Sequence, residues 1–132
     1  MFLNKLNDQE KSAFLMLAHH VAHSDDEFSN REEQIILGYK LEMAVIGEQY
    51  NHADFNLQDV LKVFESEESK RIALLELLAL VYCDDLFHDA ERKVLAIVKE
   101  TFNISDSYYN LSTSWAKSIV ALNQQGYELI SL

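Results

Sequence analysis

Residues 78–95 read LALVYCDDLFHDAERKVL, and residues 19–36 read HHVAHSDDEFSNREEQII. In both, an apolar run ends in two adjacent aspartates, an aromatic residue follows, and a glutamate opens a second apolar run. Shifting the chain by 59 residues places Asp25 on Asp84, Asp26 on Asp85, Phe28 on Phe87 and Glu32 on Glu91. The apolar positions follow the same shift: Val21 on Leu80, Ala22 on Val81, Ile35 on Val94, Ile36 on Leu95 and Met43 on Phe102. Four matches within twelve residues in one context read as an internal duplication. Its unit is a buried helix, an acidic corner and an amphipathic helix.

The flanking sequence supplies those helices. Residues 8–23 are apolar around most of a helical circumference, through Ala13, Phe14, Leu15, Leu17, Ala18 and Val21, and residues 70–82 are more apolar still. These two predict the central helices. Residues 29–46 open with Ser29 and Glu32 at capping-box spacing and return Ile35, Ile36, Tyr39 and Met43 to one face. Residues 89–102 repeat that type with Val94, Leu95, Ile97, Val98 and Phe102. Asn56 caps a short helix through Leu57, Val60, Leu61 and Phe64. Ser105 or Asp106 caps a last helix, about 105–123, whose stripe of Tyr108, Leu111, Trp115, Ile119 and Leu122 is expected in the core, with a dimer face as its other role. The expectation is one all-α domain over residues 1–132, of six or seven helices, with related halves at about 10–46 and 70–102 and no strand.

Composition agrees. There is no proline and there are three glycines, so breakers and hairpin turns are scarce. A chain of 132 residues buries roughly 65–70 % of its unfolded surface as a single core. The formal charge of −11 repels nucleic-acid phosphates and anionic membrane while attracting cations and basic protein patches. Cys83 is the lone cysteine, so no internal disulfide forms; beside Asp84 and Asp85 a thiolate is disfavoured, which reads as a small core residue in a reducing, cytoplasmic setting. No signal-peptide pattern and no membrane-length apolar run is present in the sequence.

The unit A-x-x-D-x-x-Φ-x-x-x-E, with Φ apolar, occurs as AHSDDEFSNRE at residues 22–32 and as VYCDDLFHDAE at residues 81–91. It resembles the TerB-like family, which includes the tellurite-resistance protein TerB and the DjlA N-terminal domain. The likeness spans roughly residues 10–102. The family's Asp and Glu map onto Asp25 and Glu32, echoed by Asp84 and Glu91, while Asp26 and Asp85 stand where the family commonly has glycine. The resemblance implies an all-helical domain, a link to tellurite or other chemical stress, and a divalent-cation site in the acidic corners.

Two readings of the corners compete. Asp25, Asp26, Glu32, Asp84, Asp85 and Glu91 offer the oxygen ligands that a hard cation such as Ca²⁺, Mg²⁺ or Mn²⁺ takes. Alternatively the aspartates bond loop amides and the glutamates close capping boxes, favoured by the positive ends of the helices that follow. An EF-hand is excluded: counted from Asp25 the sixth position is Asn30 and the twelfth Ile36, and counted from Asp84 the third is Leu86 and the twelfth Leu95. His19 and His23, with His20 between them, form a polar stripe that is a secondary candidate for Zn²⁺ or a solvated, partner-facing surface. No E-x-x-H, G-x-S-x-G, phosphate loop or C-x-x-C occurs, so no catalytic site is expected. The expected functions are a non-enzymatic TerB-like stress domain holding a divalent cation, or an acidic interaction module that docks a basic protein partner.

Overall fold

The computed structural model describes residues 1–24, 30–44, 55–83 and 89–132. Among them the chain is all-helical, with a single 3-10 turn at Leu3–Lys5 and helices α1 (Asp8–Ala22), α2 (Asn30–Met43), α3 (Leu57–Leu61), α4 (Glu67–Val81), α5 (Asp89–Thr101) and α6 (Asp106–Ile130). The core is one cluster centred on α1 and α4, which pack on each other. Each carries its own amphipathic follower, α2 on α1 and α5 on α4.

Burial follows the 59-residue shift. Leu15 and Leu74, Val21 and Leu80, Ile36 and Leu95, and Met43 and Phe102 are buried at equivalent positions. Unequal aromatic pairs fill the two halves, with Phe14 edge-on against Tyr39 at 5.2 Å inside the first and Phe64 of the connecting segment against Phe102 of the second at 5.8 Å. Such packing suits two related but non-identical halves.

Helix starts are written locally. Asn56 accepts from the Asp59 amide at 3.0 Å and Ser105 from the Tyr108 amide at 3.1 Å, as capping requires. At α1 a reciprocal box forms: the Asn7 side chain accepts from the Glu10 amide at 2.8 Å and the Asn7 amide donates to Glu10 at 3.0 Å. The fourth helix starts at Glu67 rather than residue 70, because Ser66 accepts from the Ser69 amide at 3.0 Å and so extends the first turn into the polar stretch.

α5 is closed two residues past Thr101 by Asn103, whose φ of 55° is left-handed. The Asn103 amide donates to the Glu100 carbonyl at 3.1 Å and the Ile104 amide to the Lys99 carbonyl at 2.9 Å, a Schellman closure that suits asparagine. Ser105 caps α6 immediately afterwards, and Lys99 pairs with Asp106 at 2.7 Å across the joint. α6 then lies along α4 in the same direction, since Arg71 sits over the Tyr108 ring at 5.3 Å and Lys117 over the Tyr82 ring at 5.1 Å.

The last helix differs from its expected end near 123: it continues to Ile130. Its stripe is only partly core. Trp115 and Ile119 are half-buried, whereas Leu111 and Leu122 are 70 % and 60 % exposed. Leu122 lies past the end of α4 at Val81, where α6 has nothing of this pair to pack on, whereas Leu111 lies alongside α4 on an outward side of α6.

Candidate functional site

The acidic corners are the sequence's strongest candidate. Asp25, Asp26, Asp84 and Asp85 lie outside the described residues, as does Ser29 of the expected capping box. Glu32 and Glu91 are described, and both are buried in the first turns of α2 and α5. A buried carboxylate at the positive end of a helix is stabilised by that end.

The described residues that border the two corners in sequence meet in the fold. The Arg31 guanidinium donates to the Cys83 carbonyl at 2.9 Å, joining the start of α2 to the end of α4 across 52 residues. Cys83 lies two residues past Val81, at the negative end of α4, where a guanidinium is favoured. The repeat did not announce this contact, because the residue equivalent to Arg31 is Ala90. Residues 24–33 and 83–92, flanked by this joint, carry nine carboxylates against Arg31 and Arg92.

For a hard cation the described residues fall short of a cage. Glu32 and Glu91 supply two carboxylates from different helices, and the nearby guanidinium and the two helix N-termini oppose added positive charge. Among the described residues no group of three or more potential ligands gathers.

The histidine stripe is more enclosed than a solvated surface. His19, His20 and His23 are all half-buried. The His19 and His23 rings lie 6.0 Å apart and nearly parallel, while His20 stacks on Phe55 at 4.2 Å. Burial lowers the His19 pKa to about 4, with the Lys40 and His23 charges adding to the effect. The ring is therefore neutral at pH 7, which suits ligation, but the Lys40 ammonium that helps keep it neutral also repels a metal ion.

A second carboxylate pair was missed in the sequence. Glu76, buried in α4, accepts from the Phe2 amide at 2.9 Å, and Glu42 of α2 accepts from the Leu3 amide at 2.9 Å. The Met1 amino group lies 2.7 Å from Glu42 and 3.0 Å from Glu76. Tyr39 also donates to the Glu76 carbonyl at 3.1 Å, so the pair ties the 3-10 turn to both halves. Its only sequence signal is a glutamate inside the apolar run of residues 70–82. No helix among the described residues is long and apolar enough to cross a membrane. No protein-family model, curated protein or solved structure matches this chain.

Proposed function

We propose that this chain is a non-enzymatic, TerB-like stress-associated interaction domain that docks a basic protein partner at its acidic end. The observation that supports this reading is the Arg31–Cys83 contact, which brings the start of α2 to the residue just past α4, the two described segments that border the acidic motifs in sequence. Pooled charge on one end steers a basic patch and fixes its orientation on arrival. The stress association rests on the resemblance of the two corner motifs to the TerB-like family.

The rival is a divalent cation held by Asp25, Asp26, Glu32, Asp84, Asp85 and Glu91. In its favour, Glu32 and Glu91 bring one carboxylate each from the first turns of α2 and α5. Arg31 already brings a positive charge to this end, which is why docking is preferred.

A lysine-rich helical peptide, titrated with and without chelator while Trp115 fluorescence is followed, separates the two. Docking predicts binding that weakens steadily as NaCl rises, weakens in Asp25→Asn, Asp84→Asn protein, and ignores the chelator. Peptide binding that requires Ca²⁺, Mg²⁺ or Mn²⁺, or that is unchanged in the double variant, overturns it.

A further inference from the structure

We infer that the free end of α6 is a self-association surface whose occupant is the same helix of a second copy, paired antiparallel. The inference is independent of any partner at the acidic end.

Three observations meet here. First, α6 outruns its support: Ala116 is its last buried residue, and every residue from 121 to 132 is exposed. Second, the exposed part is amphipathic. Trp115, Ile119, Leu122, Gly126 and Leu129 follow steps of four, three, four and three, the spacing of a two-helix seam. Trp115 begins that seam against Phe2 of the body, with ring centroids 5.9 Å apart. Leu129 is 62 % exposed at its far end, and Ile130, 80 % exposed, widens it. Third, the stretch carries little charge. From Ser107 to Ile130 the charged residues are Lys117 and Glu128, one of each sign, in a chain whose net charge is −11.

The charge distribution selects the occupant. Two bodies of −11 repel wherever their carboxylates meet, so copies approach most easily along the end of this helix, where the charges of Lys117 and Glu128 cancel. A basic partner is drawn to carboxylates, yet the seam is flanked by Ser118 and Gln125. Antiparallel pairing also keeps the bodies at opposite ends. The segment from Lys117 to Ile130 spans about 20 Å at 1.5 Å per residue, roughly two Debye lengths at 0.1 M salt. Such a contact is isologous and closes as a dimer. Gly126 has its place in it: a Cβ there meets nothing within 4 Å in its own chain, leaving room for a large side chain of the other copy to approach the backbone.

Sedimentation equilibrium of the full chain at tens of micromolar, at low and high NaCl, tests this. The expected result is a species of twice 15.2 kDa whose share grows with salt, because salt screens body repulsion and leaves an apolar seam intact. Leu122→Glu, Leu129→Glu protein is expected to keep its helical circular dichroism, since both side chains are exposed, and to associate at least about 100-fold more weakly. Gln124→Glu, on the opposite face, is expected to associate as the parent does. A parent chain that stays monomeric at every salt concentration, a double variant that dimerises unchanged, or association that weakens with salt each overturns the proposal. A monomer that instead binds neutral phospholipid vesicles through Leu122 and Leu129 also overturns it, in favour of a lipid surface.

Discussion

At the scale of single residues, His19 is a proton-sensitive element of the fold. Its pKa is about 4 in the folded chain against 6.5 for the free side chain. Between these values the unfolded chain binds a proton that the folded chain refuses, so the stability His19 preserves is complete above pH 6.5 and is lost as pH falls toward 4. For a half-exposed ring, solvent screening reduces the effect to about 1–2 kcal/mol. The difference in unfolding free energy between the parent and a His19→Asn variant, measured by urea titration from pH 7.5 to 4.5, should shrink by that amount. A constant difference would count against it. Glu76 belongs to the same scale. Glu76→Ala strips the Phe2 amide of its acceptor in a part-buried place and should cost about 2–3 kcal/mol, whereas Glu67→Ala, 3.6 Å from Lys70 on an exposed surface, should cost under about 1 kcal/mol. Only some of this was legible in the sequence. Glu32 and Glu91 could be singled out because the duplication repeats them, and both are buried. Arg31, Glu42 and Glu76 could not, because their partners lie 52, 39 and 74 residues away and no motif marks a contact across that distance.

At the scale of elements, the helices were legible because apolar spacing and capping residues are local signals. Asn56 and Ser105 start helices where their side chains said they would. The start of α4 was not legible, because Glu67 and Glu68 face solvent and leave no apolar trace. Nor was the end of α6, which runs past the expected 123 to Ile130 through residues that are all exposed. The α5–α6 joint offers the sharpest test of an element boundary. Asn103 holds a left-handed φ of 55° within a Schellman closure. Asn103→Gly should therefore be neutral or stabilising by up to about 1 kcal/mol, while Asn103→Val should cost about 1–2 kcal/mol by forcing a β-branched residue into that conformation. Equal thermal midpoints for the two variants would mean that the closure does not hold the joint. Because this joint aims α6 along α4, the valine variant is also expected to weaken the Lys117–Tyr82 contact that precedes the free end.

At the scale of the whole molecule, net charge sets the response to ions. With −11 spread over 132 residues, the compact state carries a self-repulsion that the unfolded chain relieves by expanding. The ion pairs that oppose it are few among the described residues, and Lys99–Asp106 and Lys70–Glu67 involve exposed carboxylates whose contribution salt readily screens. Screening therefore helps more than it harms, and added NaCl should raise the melting midpoint by a few degrees. The informative comparison is MgCl₂ or CaCl₂ against NaCl at equal ionic strength, on chelator-treated protein. A diffuse acidic surface gives nearly the same rise for each salt. A cation held at the corners at 100 times its Kd adds about 2.7 kcal/mol, which in a domain of this size shifts the midpoint by roughly 10 °C more. The expected outcome is the equal rise, since Arg31 already supplies positive charge beside the second corner. A large additional shift with one divalent ion, abolished in Asp25→Asn, Asp84→Asn protein, would instead make the corners a cation site. The docking experiment would then have to be repeated with that ion bound, because it would change the charge of the end on which docking depends.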